Sequence, residues 1–419
     1  MKRALSFAVA AAASIVSVAG RAADSPKCDP DNGGIKLPQG FCASVVADGL
    51  GRARHVTVAP NGDVYVSLQG GRGGAGGGAV ALRDTDGDGK LDKKEPFGDA
   101  SVTGIGLRNG YAYLATTTSI VRYKMTSGEL KPTGGAEVVV DGLPAARQHQ
   151  DKGIAFDGKG GVYVNVGAPS NACQQPDRQP KVAGQDPCPL LDQHGGIWKF
   201  DENKLGQKQA DGKRYATGMR QMPGITWHDG SLWAVMHGRD SLDTLWPGQF
   251  TAEQNAEWPA ELLLKIPDGA NFGWPYCFFS NAENKFVTNP EYGGDGKKSD
   301  RCAGLTQPVV NFPGHWAPND VMFYTGTQFP RPYQGGAFVA FHGSWNRAPL
   351  PQAGFNVTFV PFPGGKAGKY EVFADGFAGT TPVTGPAMYR PCGLAMGPDG
   401  SLYVTDDSKG RVWRIMYKK

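Results

Sequence analysis

From residue 55 onward the chain repeats one pattern of apolar and polar positions. A short run of apolar and small residues meets a polar turn rich in glycine, and a second, more aromatic run follows. The six copies are HVTVAPNGDVYVSL (55–68), GIGLRNGYAYLAT (104–116), GIAFDGKGGVYVNVG (153–167), GITWHDGSLWAVMHG (224–238), VMFYTGTQFPRPYQGGAFVAFHG (321–343) and GLAMGPDGSLYVTDD (393–407). Asn-Gly and Asp-Gly pairs between runs of this kind predict β-hairpins. A further apolar run follows each copy: AVALRD, SIVRYK, GGIWKF, ELLLKI, NVTFVPF and RVWRIMY. Six β units at unequal spacing predict an all-β chain folded as a six-bladed β-propeller, with residues 23–419 forming one domain. A β-sandwich is the alternative, but its strands would not recur in this grouped form.

Composition fits that picture and removes others. Glycine (61 of 419 residues) and proline (31) are abundant without a collagen period, while 40% hydrophobic content and nine tryptophans exclude a disordered chain. The net charge of +4 lies mostly in the first 22 residues, which carry Lys2, Arg3 and Arg21 and no acid. No long basic run remains to bind nucleic acid. Lys2-Arg3, an alanine-rich apolar stretch to Gly20 and small residues around Ala22 read as a secretory signal peptide over 1–22. That predicts an exported protein, periplasmic or secreted, that does not span a membrane. All seven cysteines lie beyond the signal, and local pairing predicts disulfides Cys28–Cys42, Cys173–Cys188 and Cys277–Cys302, leaving Cys392 as a buried thiol. There is no CxxCH haem motif.

The repeat also sorts the polar residues. Ahead of the first strand in each unit stand Arg52 and Arg54, Thr103, His149-Gln150, Arg220-Gln221, His315 with Asn319, and Tyr389-Arg390. An antiparallel hairpin returns the end of its second strand to the same side. That adds Gly167-Ala168, His237 to Asp240, His342 to Arg347, and Asp406-Asp407. One mouth of the channel is therefore expected to gather arginines and histidines with few carboxylates. Such a cluster repels itself unless an anion sits there, which points to a multiply charged acidic ligand.

A second, contiguous motif lies between the first two units. Asp84, Asp86, Asp88, Asp92 and Glu95 occupy positions 1, 3, 5, 9 and 12 of a calcium loop. Gly89 stands at its sharp turn, and Lys90 would give a backbone carbonyl. No helical sequence flanks it, so it reads as a structural loop between blade strands.

The rim motifs resemble those of the pyrroloquinoline quinone (PQQ)-dependent glucose/sorbosone dehydrogenases. The likeness runs from LPQGF (37–41) to VWRIMY (412–417) and rests on His149-Gln150, GMRQMPGITW (218–227), MHGRDSLD (236–243), DGANFGWPYC (268–277), HGSWNR (342–347) and MYRPCGLAMGPDGSLYVTDD (388–407). It implies oxidation of a sugar or sugar aldehyde, with His149 as general base and hydride passing to PQQ. Arg220 and Arg390 would be the main cofactor contacts, joined by Arg54, Gln221, His342, Asn346 and Arg347. The carbonyls of Gly238 and Arg239 would hold a Ca²⁺ at the cofactor, separate from one in loop 84–95, and electrons would leave to an external quinone or cytochrome. Gln221, Met388 and Asn346 depart from the soluble glucose dehydrogenase pattern and move the likeness toward the sorbosone or pyranose branch. Two other readings are a calcium-dependent lactonase-type propeller and a non-catalytic exported propeller that binds glycans or protein.

Overall fold

The protein is described by a computed structural model covering residues 27–71 and 77–418. The expected signal peptide lies outside the described residues, as does the centre of the glycine run at 70–78.

Six antiparallel sheets of four main strands form the six blades of a propeller. The predicted hairpins supply the first two strands of every blade, and each further apolar run supplies the third. Blade 1 comprises Ala53–Val58, Val64–Leu68, Gly78–Arg83 and Lys93–Phe97. Blades 2 to 5 begin at Val102–Arg108, Ile154–Phe156, Ile225–His228 and Pro318–Phe323. Blade 6 takes Pro391–Met396, Leu402–Asp406 and Val412–Tyr417 from one end of the chain and Phe41–Ala47 from the other. Phe41 pairs with Tyr417 across that closure.

The turns obey their sequence. Asn109-Gly110 and Asp229-Gly230 both have positive φ at both positions (49° and 76°; 44° and 69°), the geometry of two-residue hairpin loops that match strand twist. Burial falls from the middle of a blade outward. All of Gly161–Val166 and Ala337–Phe341 is buried, whereas most of the outer strand Lys93–Phe97 is exposed.

One repeated glycine shapes the axis. Gly104, Gly153, Gly224 and Gly393 occupy the same position at the start of four inner strands, and a Cβ on any of them would collide with the backbone at the start of the neighbouring blade. At the equivalent place in blades 1 and 5 stand His55 and Asp320, both buried. His55 Nε2 bonds Asn319 O (3.0 Å), and Asp320 accepts the amides of Val321 (2.9 Å) and Leu394 (2.9 Å).

Blade 4 carries the largest elaboration. Two short helices, Leu242–Leu245 and Ala252–Glu257, separate its second and third strands. A hairpin, Cys277–Ser280 with Lys285–Thr288, is inserted before its outer strand. The three disulfides pair as the sequence predicts, and Cys392 is a buried free thiol. Among the described residues no helix is long and apolar enough to cross a membrane.

Candidate active site at the channel mouth

The shared phase of the six units brings the predicted residues to one mouth, where they form two adjoining networks. The first lines a cavity of about 300 Å³ and includes His149, Arg220, His237, Gly238 and Asn346, with Gln148, Arg178, Asp240, Glu261, His315 and Trp345.

His149 is held in a left-handed conformation (φ 53°). Its Nδ1–H donates to Ala168 O at 2.6 Å, which leaves Nε2 as the lone-pair nitrogen. Gly167 makes this seat possible, because a Cβ there would strike both His149 and the Gln221 side chain. Burial, and then the Arg220 charge, hold the imidazole well below its ordinary pKa. A neutral imidazole with one free nitrogen can take a proton.

Arg220 donates through Nη1 to Gly238 O (2.8 Å) and through Nη2 to Asp240 (2.6 Å). Burial alone would raise the Asp240 carboxyl, but Arg220, His315 and Arg178 hold it well below the carboxylate range. Burial pushes Glu261, which accepts Gly238 N at 3.0 Å, up to about 7. His237 bonds Pro318 O (2.8 Å), and burial takes it down to about 4.

The second network joins blades 1, 2, 5 and 6 and the connector into blade 3. Arg54 is buried and forks between Asp407 (2.7 Å) and Asp151 (2.8 Å). Thr103 and Gln69 complete the hydrogen bonds to Asp151. His342 Nε2–H donates to the other oxygen of Asp407 at 2.6 Å. Arg390 donates to His342 O and Gly343 O, both at 2.9 Å.

This overturns one expectation. The mouth is not poor in carboxylates, because Asp151, Asp240 and Asp407 each pair with an arginine the sequence placed there. Mutual repulsion therefore does not demand an anion. Arg390 forms no ion pair among the described residues, and with Nε and Nη2 on backbone carbonyls it keeps Nη1 for an acidic ligand. Arg239 pairs with buried Glu291 (2.6 Å), so its side chain belongs to packing. Arg347 also faces away from the cavity, its guanidinium taken up by Ala256 O, Gly314 O, Pro351 O and Glu257. Gln221 is buried behind Gly167, with Oε1 unpartnered. A Cβ at Gly238 would meet Ala260 O, and one at Gly343 the Phe355 ring, so both make room for the chain itself.

Asp240 and Asp407 are among the residues the repeat assigns to this mouth, whereas Asp151, one residue beyond His149-Gln150, was not singled out. The signal was the phase of the repeat, which places any residue at a strand end on the rim.

Five polar atoms in these networks are buried without a partner among the described residues: Nε of Arg54, Nε of Arg220, Oε1 of Gln69, Oε1 of Gln221 and Oδ1 of Asn346. Two are donors on guanidinium groups, so the donor set suits a flat, carboxylate-bearing quinone. The oxygens of Gly238, Asp240 and Glu261 on the cavity wall suit a divalent cation. In this structure Gly238 O accepts from Arg220, a bond a cation there would replace.

The calcium-loop motif lies between the third and outer strands of blade 1. The carboxylates of Asp84, Asp86 and Asp88 converge within 4.8 Å. Asp92 instead accepts Thr85 N (2.7 Å) and Thr85 Oγ1 (2.5 Å). Glu95 is drawn into the outer strand and pairs with Lys93 at 3.0 Å. Lys90 reaches away through Nζ to Asp29 (3.0 Å) and Val45 O (2.7 Å).

Known proteins share this frame. The PQQ-dependent pyranose dehydrogenase of Coprinopsis cinerea is 27% identical over 272 residues, covering 54% of this chain and 35% of that enzyme. The chain spans less than half the length of the curated relatives it matches. A calcium structure of the Trichoderma reesei carbohydrate-active enzyme of family AA12 superposes with a TM-score of 0.73 at 17% identity, over 92% of this chain and 97% of that one. The holo PQQ domain of the Coprinopsis cinerea pyranose dehydrogenase gives a TM-score of 0.72 at 19% identity, over 94% and 99%. The TrAA12-like family model matches residues 35–418. A match that runs from ahead of the first strand of the closing blade to the end of its last makes the chain a member of the TrAA12-like family.

Proposed function

We propose that the mouth is the active site of a PQQ-dependent oxidoreductase that oxidises a sugar or sugar aldehyde. The observation that carries this is His149, a half-buried imidazole held neutral, with Nδ1 fixed on Ala168 O and Nε2 left to accept a proton inside the cavity. The family match and the pyranose dehydrogenase relative support the same reading.

PQQ, when bound, supplies a hydride acceptor, and Ca²⁺ beside it a Lewis acid. The chain's own residues do the rest. Arg220 and Arg390, with Arg54 behind them, hold negative charge through forked or single hydrogen bonds. His342, fixed by Asp407, and Asn346 offer further polar contacts. Gly238 and Arg239 are the candidate carbonyl donors for the cation. His149 takes the hydroxyl proton at Nε2 as the substrate carbon gives up its hydride, and the Arg220 charge beside it favours proton release from the sugar. Trp345, 61% exposed on the cavity wall, presents an apolar ring to a pyranose face. Because Asp151, Asp240 and Asp407 are committed to arginines, a lactonase-type centre would have only Glu261 as a free carboxylate on the cavity wall, which favours the dehydrogenase.

The cluster of Asp84, Asp86 and Asp88 is the candidate for a second, structural Ca²⁺. Three disulfides fit an exported chain, periplasmic or secreted, that passes its electrons to a separate quinone or cytochrome.

The test is to titrate the protein with PQQ and Ca²⁺ and assay dye reduction across a panel of aldoses and sugar aldehydes. A change in absorbance and substrate-dependent dye reduction are expected. Neither appearing would sink the proposal.

A further inference from the structure

We propose that Asp240 is a positioning residue that sets the polarity of the cavity wall, turning Arg220 to offer a donor and Asn346 to offer an acceptor. What fills the cavity rests on the reading above; the positioning does not.

Asp240 gathers groups from four separate segments. Its Oδ2 accepts from Arg220 Nη2 (2.6 Å) and from Arg178 Nη2 (2.9 Å). Its Oδ1 accepts from Asn346 Nδ2 (2.9 Å), with His315 Nδ1 at 3.7 Å. Arg178 lies in the loop closed by Cys173–Cys188, Arg220 in the connector to blade 4, His315 ahead of blade 5, and Asn346 beyond that blade's second strand.

An ionised carboxylate only accepts hydrogen bonds. The Asn346 amide must therefore give its NH₂ to Asp240, which leaves Oδ1 buried with no partner among the described residues. Arg220 is fixed in the same way. With Nη2 on Asp240 and Nη1 on Gly238 O, its Nε is the nitrogen left buried and unpartnered. Both residues line the cavity. A buried donor and a buried acceptor left without partners on two residues of one cavity wall are costly, so they point to a ligand that satisfies both.

The anchor is itself rigid. Asp240 N donates to Asn171 Oδ1 (3.1 Å), and Asp240 O accepts from Asn171 Nδ2 (2.9 Å). Asn171 is fully buried, and the preceding Arg239 is locked to Glu291 by two hydrogen bonds of 2.6 and 3.0 Å. The carboxylate therefore stays in place and its partners orient to it.

Asp240→Asn tests this, because a neutral amide can donate to Asn346 and let that side chain turn over. In a crystal structure of the variant without cofactor, Arg220 is expected to leave Gly238 O. The affinity for PQQ with Ca²⁺, read by fluorescence titration, is expected to fall at least tenfold. Asn346→Ala is expected to lose affinity too, and the double variant to lose no more than the worse single one. Asp240→Glu keeps the charge but shifts the grip by one methylene, and it carries the same readouts should the asparagine variant not fold. Arg220 remaining on Gly238 O with PQQ affinity within twofold, or losses that multiply in the double variant, would overturn the proposal. A wild-type protein that takes up no PQQ would defeat the cofactor reading alone, since the Arg220 displacement still decides the role of Asp240.

Discussion

The channel mouth and the Asp84–Glu95 loop both gather carboxylates, in opposite ways. In the loop they come from one stretch of chain and face solvent, and three of the five the motif promised converge. In the mouth they come from loops and strand ends far apart in sequence, are buried or half-buried, and nearly all meet a cation. Arg54 and Asp407 are separated by 353 residues along the chain, yet lie 2.7 Å apart. A contiguous motif holds its geometry only while the backbone follows the template, and here the outer strand of blade 1 takes Glu95 away. A dispersed constellation depends instead on the whole frame, and a six-fold repeat makes that frame dependable. Burial also sets the stakes, since an ion pair in solvent contributes little and a broken buried pair costs much.

Perturbing the mouth should therefore have large effects. His149→Ala is expected to lower kcat by about 10²- to 10⁴-fold, the usual contribution of a general base, with little change in Tm. Steady-state kinetics on the PQQ-loaded protein checks this, and unchanged kcat with cofactor retained would remove His149 as the base. Arg239→Ala leaves Glu291 buried without its partner, and about 3–5 kcal/mol of stability is expected to go. Urea unfolding reads it, and a loss below about 1 kcal/mol would mean that the pair is not sealed from water.

The pH response should be smaller and of defined sign. Since the folded protein holds His149 well below 6.5, the base stays neutral to lower pH than a free imidazole. The acid limb of kcat/KM is thus expected below pH 6.5, and a limb above it would argue against this base. Stability follows the same sign: the unfolded histidine gains its proton near 6.5 and the folded one does not. The His149 contribution is therefore complete above that pH and declines as the solution is acidified below it.

The loop should give the smallest effect. Replacing Asp84, Asp86 and Asp88 together by Asn is expected to change stability by less than about 1 kcal/mol in calcium-free buffer. Added Ca²⁺ should raise the Tm of the parent and not of the variant, as calorimetry would show. An equal rise in both would place the responding ion elsewhere.

Much of this was legible beforehand because the same hairpin pattern recurs in all six units. Asn109-Gly110 and Asp229-Gly230 announced their turns, and the phase of His149, Arg220 and Arg390 put them at one mouth. Residues that act through a side chain's direction were harder to read. Arg347 stands one position from Asn346, yet it turns into the body of the protein to bind carbonyls at 256 and 314. Neighbours on irregular chain can face opposite ways, and spacing does not say which. Asp151 was hidden for a related reason: it is an ordinary loop residue until the blades close and bring Arg54 to it.

The closing blade has a consequence for how the molecule is made. Trp413 Nε1 donates to Gly33 O across 380 residues of chain, and the strand Phe41–Ala47 finds its partner only in Val412–Tyr417. A chain that emerges N-terminus first, from a ribosome or a translocon, must carry that strand as an unpaired edge while five blades are produced. Its folding is thus limited by the arrival of its last strand, and in the interval that edge is the segment most in need of a chaperone.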